Sequence, residues 1–378
     1  MDLTQPGTRS PHKHARYRRT PRGIVVPLNA AVRGVTTWQV LDERGVPEVP
    51  RTPSGVAVGP AEGITHTNLI TNLGMDTIAT RNVLSDATNA NGYRRFLAVG
   101  TGSTAPDFTD TALDNEVQRA SSNGGFGNGS QTWEALSADD VLRATILVNR
   151  VVTMTADRNL TEYGLGYETT ANIMIRDLLR DGGGTPITVS LLNEKTLYLQ
   201  HSLIIDLPWL TSGISDTMDL EEYDAGNNLV GTITFDTTYG MRLGLNAPTG
   251  VERAFNVWRP DITDSTVGIR RLNTDIAWNR GVDSLTDGDI SHLGNAQLYP
   301  YVRAAYTTGT YERAKVTTIT PAQLNGDWYG YFYGRVNTPT ARSSWVTGLW
   351  VKWEDNTPYV KQDTDELIIS MLSTWARA

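Results

Sequence analysis

The chain has 378 residues, 33 basic and 41 acidic side chains and a formal net charge of −8. It has no cysteine, which excludes disulfides, thiolate metal sites and cysteine nucleophiles; its pI near 5.2 argues against nucleic acid as the partner, since that footprint would be basic. No apolar run reaches the ~20 residues of a membrane-spanning helix, and the N-terminus lacks the apolar stretch of a signal peptide. A soluble protein without a membrane partner is expected. The 49 threonines, set beside only 5 lysines among the 33 basic residues, favour a pleated, half-buried backbone. Arg in place of Lys suits preorganised interface contacts, and a GC-rich genome gives the same bias.

In chain order, residues 1–23 come first, with Arg9, Lys13, Arg16, Arg18, Arg19 and Arg22 against Asp2 alone. That segment carries +5, so the remaining chain carries −13. Pro6, Pro11 and Pro21 deny it a regular helix, and it lacks apolar residues to bury. It reads as an extended basic arm. The arm is a solvated tail, a nucleic-acid contact or a strap over an acidic protein surface. The acidic body of a neighbouring copy supplies such a surface.

Residues 24–92 form a Pro/Gly-punctuated segment in which Asp42–Gly45 predicts a turn. One helix is expected over THTNLITNLGMDTIATRNVL, capped by Thr67 or Asn68, with apolar residues near a 3.6 period. From residue 93 the signals are β. FLAVG reads as a buried strand, ATILVNRVVTMTAD as an alternating one, and Asn193–Glu194 as a hairpin turn between two more. The Gly/Ser/Asn-rich stretch SSNGGFGNGS reads as a mobile hairpin tip. Residues 93–207 thus make one β domain and 208–378 a second, rich in Trp and Tyr. Two segment pairs (DFTDTALDNEVQR with DITDSTVGIRRLN, RVVTMTADRNLTEYGLGYETTANIMIRDLLR with RVNTPTARSSWVTGLWVKWEDNTPYVKQDTD) suggest a faint duplication. The expected fold is mainly β: two sandwich- or barrel-like domains, one or two short helices and an extended N-terminal arm.

Chemistry is hard to find. GTGSTA at 100–105 has the spacing of a dinucleotide loop, but Pro106 and a Thr/Asp loop follow where a helix must open. DGGG at 181–184 reads as a turn in preference to an anion nest. His66, His201 and His292 are scattered, and the DSLTDGD acids do not match a calcium loop. A glycosidase needs only two carboxylates, which 41 acids permit without supporting. The expectation is no catalytic residue, no cofactor and no metal. Trp345, Trp350 and Trp353 are the candidates for a partner or receptor surface, although such clusters are more often core.

One block is more specific. NLITNLGMDTIATR, RRFLAVGTGSTAPDFTDTALDNEVQR, NRVVTMTADRNLTEYGLGY and IRDLLRDGGGTPITVSLLNEKTLYLQHSL, within about residues 64–207, resemble a recurring module of tailed-bacteriophage virion proteins. Gly100, Gly102, Pro106, Thr109, Asp110, Leu113, Leu165 and Gly166 occupy matching places. The resemblance implies a non-enzymatic structural protein in a virion assembled in the host cytoplasm, where a cysteine-free chain forgoes nothing. Its partners would be further copies of itself and other neck, tail or capsid proteins, in a ring or sleeve at the neck or tail. The alternatives are a fibre, head-decoration or receptor-binding protein that touches a host surface glycan, or, further off, a carbohydrate-active virion enzyme.

Overall fold

The computed structural model of the chain describes residues 24–84, 94–136, 141–208, 214–223, 229–242, 247–261, 267–272, 299–319, 326–328, 330–335, 347–353, 359–361 and 367–378. The first half runs β1 (Ile24–Leu41), β2 (Pro47–Glu48), β3 (Ile64–Ile70), α1 (Asn72–Ile78), β4 (Phe96–Gly100), β5 (Glu116–Ala120) and β6 (Gly129–Leu136). It continues through β7 (Val141–Thr153), β8 (Arg158–Leu160), β9 (Glu162–Gly166), β10 (Ile173–Leu178), β11 (Val189–Leu191) and β12 (Thr196–Pro208). The second half opens with β13 (Ile214–Tyr223), β14 (Leu229–Arg242), α2 (Ala247–Trp258), β15 (Val267–Leu272), β16 (Tyr299–Pro300) and β17 (Val302–Arg303). It closes with β18 (Glu312–Ile319), β19 (Gly326–Trp328), β20 (Gly330–Arg335), β21 (Thr347–Trp353), β22 (Tyr359–Lys361) and β23 (Leu367–Arg377). The fold is mainly β and sandwich-like.

Everything hangs on β1. One edge pairs antiparallel with β12 from Ala31 to Leu41. The opposite edge pairs in turn with β23, parallel, over Ile24–Val32, and with β3, antiparallel, over Gly34–Trp38. The sheet therefore branches at β1. One limb runs β23–β18–β17 and the other β3–β10–β9–β4–β5, while β12–β7–β6 extends from the far edge. β7, β12 and β23 alternate buried and half-buried residues along most of their length, the period-2 signature of strands with one face in the core. A separate six-stranded sheet, β13–β14–β21–β20–β15–β16, belongs to the second half. α2 packs against β6 and β7 and also against β20 and β21. Accordingly Val251, Ala254, Phe255, Val257 and Trp258 of α2 are all fully buried.

Several sequence expectations meet their structure here. Asp42 Oδ1 accepts from the backbone N–H groups of Arg44 and Val46, and Gly45 takes φ +77°, so the expected turn forms between β1 and β2. DGGG also forms a turn, with Asp181 Oδ1 accepting from Gly183 and Thr185 N–H. The long helix does not form: residues 64–70 are a strand, and Thr71 caps a helix of only seven residues by accepting from Gly74 N at 3.1 Å. β-branched Ile64, Thr65, Thr67 and Ile70 fit the ladder to β1 and β10, and that pairing overrides local helical periodicity. The Asn193–Glu194 turn exists, with Glu194 at φ +68°, yet β11 pairs with β8 while β12 pairs with β1 and β7. The turn switches sheets and closes no hairpin. The stretch expected as a mobile tip is tied down. Ser122 O and Asn128 O accept from Val151 N and Asn149 N, and Phe126 packs on Tyr198 at 4.6 Å.

The main sheet also crosses residue 208, where the sequence suggests a domain boundary: β17, β18 and β23 of the second half extend the sheet of the first. Of the second members of the two suggested pairs, residues 262–266 and 273 of the first and most of 335–365 lie outside the described residues.

Candidate functional site

Gly100 and Gly102, two of the module residues singled out in the sequence, lie against one buried carboxylate, and Asp110 reaches it through Arg176. β4 ends at Gly100, where β9 sets Glu162 directly opposite. The loop from Thr101 to Asn115 then wraps around that side chain. Glu162 Oε1 accepts from Gly102 N at 3.0 Å and Asn115 N at 2.8 Å; Oε2 accepts from Asp114 N at 3.1 Å. β10 contributes Arg176, whose Nη2 and Nε donate to Oε2 at 2.9 and 3.2 Å. Glu162 is 0% and Arg176 2% exposed. A buried charge of either sign is tolerable only when paired and hydrogen-bonded, and here both conditions hold. Burial pushes the Arg176 guanidinium down, but hydrogen bonds to Asp110 and Glu162 outweigh it and hold the group above its ordinary value. The glycine is required by contact: a Cβ on Gly102 would stand 2.4 Å from both Asp114 Cβ and Glu162 Oε1.

An outer layer braces the same loop. Arg176 also donates from Nη1 to Asp110 Oδ2 and from Nη2 to Thr104 O. Asp110 Oδ2 in turn accepts from Asp107 N, and Asp107 Oδ1 accepts from Thr109 N and Oγ1. Those two Thr109 donors hold the Asp107 carboxyl below its ordinary range. Thr104 Oγ1 does the same for Asp114. Leu113 packs with Ala98 and Ile173, and Leu165 is fully buried between β4 and β10.

The loop also grips the end of β23. Phe108 lies over the Arg377 guanidinium at 4.3 Å, and Phe108 O accepts from Asn72 N. Arg377 donates to Ile70 O and Asn72 Oδ1. α1 is held from the same side. Tyr306 OH and Gly309 N donate to Asp76 Oδ1, Tyr311 OH to Asn72 Oδ1, and Trp375 Nε1 to Met75 O.

A second polar centre caps α2. Lys315, 1% exposed, donates to Val257 O, Ser373 Oγ donates to Trp258 O, and Arg313 and Arg303 reach the carbonyls of Pro260 and Asp261. Cations here match the negative end of the helix dipole. Burial pushes the Lys315 amine well below its ordinary range.

The other predicted residues divide as follows. Arg9, Lys13, Arg16, Arg18, Arg19, Arg22, Trp345, His292 and the DSLTDGD acids lie outside the described residues. Trp350 and Trp353 stand on β21, opposite Gly240 and Thr237 of β14; their side chains lie outside the described set. Trp375 is core, stacked on Tyr306 at 5.8 Å. His201 on β12 is fully buried and His66 on β3 half-buried, both opposite Thr36 of β1, and His66 Nε2 lies 3.0 Å from Tyr163 OH, as a partnered polar residue. Glu162 and Arg176 were not singled out, although both sit inside the quoted runs LTEYGLG and IRDLL. An acid amid apolar neighbours was the available signal.

Chemically, Glu162 receives five donors, so its lone pairs are engaged by the chain itself. Among the described residues no group of three or more His, Cys, Asp or Glu is placed to hold a metal ion. No protein-family model, no curated protein and no solved structure matches the chain.

Proposed function

We propose that this chain is a non-enzymatic structural component of a tailed-phage virion, assembling as a ring or sleeve at the neck or tail through its β domains and N-terminal arm. The observation that carries the reading is the clamp. Gly100, Gly102, Thr109, Asp110 and Leu113, which resemble the phage module, all serve one loop whose polar groups are occupied by each other. A catalytic loop needs groups left available for substrate, whereas a building block needs a loop fixed in place. The grip of Phe108, Tyr306 and Tyr311 on Arg377 and α1 extends that fixity to β23 and α1. The charge division, +5 on residues 1–23 and −13 on the rest, supports the arm as the tie between copies.

The test is native mass spectrometry of the full chain beside a chain lacking residues 1–23. The full chain is expected as a closed ring of fixed copy number, and the truncated chain as a smaller species that is still folded. A full chain that stays monomeric at every concentration and salt tested overturns the ring reading. Identical assembly of the two chains removes the arm from it.

A further inference from the structure

β6 ends one limb of the main sheet, and among the described residues it pairs with β7 alone. The register shows which of its backbone groups are left over. Asn149 N donates to Asn128 O one step beyond the Gly129–Val148 pair, so that step is a hydrogen-bonded one. An antiparallel ladder alternates, and Ser130, Thr132 and Glu134 therefore bond to β7. Gln131, Trp133 and Ala135 turn their N–H and C=O groups away from β7, to the open edge.

Such an edge is a template for a further strand, and proteins blunt it with shortness, charge or proline. The other end strands of the two large sheets are blunted in these ways. β16 and β17 have two residues each, and β5 has five, Glu116 and Arg119 among them. The ten-residue β13 carries Asp216, Asp219, Glu221 and Glu222. β6 has eight residues, no proline, no lysine and one charge, Glu134. Its two faces differ. Ser130, Thr132 and Glu134 are exposed, while Trp133 and Ala135 pack on the core and remain half-buried, with Trp133 on Phe255 of α2 at 5.6 Å.

A strand that pairs there must supply backbone donors, cover Trp133 and Ala135 on one face, and keep a like charge from Glu134 on the other. Residues 1–23 do not meet these needs, having prolines at 6, 11 and 21 and few apolar side chains. β6 itself does. In an antiparallel pair of β6 strands with its two-fold axis at Thr132, Gln131 faces Trp133 of the second copy, Gly129 faces Ala135, and Glu134 faces Ser130. With the axis at Trp133, Glu134 faces Thr132, so neither register sets the two acids against each other. We propose that β6 pairs antiparallel with β6 of a second copy, joining the main sheets of two molecules into one across a two-fold axis. This rests on the reading that copies of the chain assemble, and it gives any closed ring an even copy number.

The chain has no cysteine, so a single introduced cysteine can form a disulfide only between molecules. Directly opposite residues of an antiparallel pair lie about 4.5–5.5 Å apart at Cα, within disulfide reach. With oxidised glutathione, Thr132→Cys or Trp133→Cys in the full chain is expected to give a covalent dimer much faster than Val302→Cys, at a site 69% exposed on β17. Equal rates at all three positions overturn the proposal. Ala135→Pro removes a donor from the open edge and no bond to β7; native mass spectrometry is expected to show loss of the two-fold contact, with species of half the mass. A folded Ala135→Pro that assembles as the unsubstituted chain does overturns the strand pairing and leaves the ring reading standing. A covalent dimer from a chain that closes no ring does the reverse. If Ala135→Pro fails to fold, the cysteine rates decide.

Discussion

The pair Glu162 and Arg176 decides what the 101–115 loop can do. Removing Arg176 would strand a fully buried carboxylate, so Arg176→Ala is expected to cost about 3–5 kcal/mol, read as a drop in the urea midpoint. The double replacement Glu162→Leu with Arg176→Met removes both charges together and is expected to cost less than that single change. If the double replacement costs more, the pair contributes net stability beyond relief of an unpaired charge. The buried histidines give a second prediction. Burial holds His66 and His201 below the ordinary value of 6.5. Below about pH 6.5 the unfolded chain therefore binds more protons than the folded one, and stability falls with pH. The thermal midpoint is expected to be flat above about pH 7 and to decline from about pH 6.5 downward, before the carboxylates titrate. His201→Gln is expected to flatten that decline, and an unchanged slope would remove His201 as its source. The loop side of the clamp was legible: Gly100, Gly102, Thr109 and Asp110 stand in one run. Glu162 was not, because its backbone donors come from residues 47 to 60 positions away, and no local pattern reports such a pairing.

Among the elements, the junction of β3 and α1 shows where pattern reading fails and why. Ile70, Leu73 and Ile78 suit a helical stripe, but the strand ladder claims residues 64–70 and leaves Thr71 to start the helix. Thr71 does two jobs, accepting from Gly74 N and donating to Ile173 O at 2.9 Å. Thr71→Ala is expected to lower stability by about 1–2 kcal/mol, with Thr71→Ser restoring most of it, as measured by denaturant titration. A seven-residue helix has little stability of its own, so α1 depends on what grips it. Arg377→Ala removes a ring contact and the donors to Ile70 O and Asn72 Oδ1. Faster amide exchange confined to α1 and the Phe108 loop is expected. Exchange unchanged there would show that Tyr306, Tyr311 and Trp375 suffice. Strands with one buried face, β7 and β12, were readable because their alternation is local. The turn at Asn193 was readable, but not the sheets its two flanks join.

For the whole molecule, β1 and β23 join the first and last described strands in one sheet, so the two halves share a core. Leu28, Ala30 and Val32 of β1 and Ile369, Met371 and Trp375 of β23 all lie in a single buried cluster. A fragment ending at residue 208 is therefore expected to lack a cooperative thermal transition by circular dichroism. A sharp transition in that fragment would mean the first half folds alone. The mainly β fold was legible in composition, in the Thr and Val content above all. The pairing of β1 with β23 was not, since nothing local marks strands more than 300 residues apart as neighbours. In the proposed reading, the charge split between residues 1–23 and the rest of the chain is what ties neighbouring copies together. For the proposed function, the decisive measurement is cryo-electron microscopy of phage particles from an infection in which this chain is expressed with a tag. Density for it at the neck or tail, in a closed ring of fixed copy number with residues 1–23 lying on a neighbouring copy, is the expected result. Particles in which the chain is absent would contradict it.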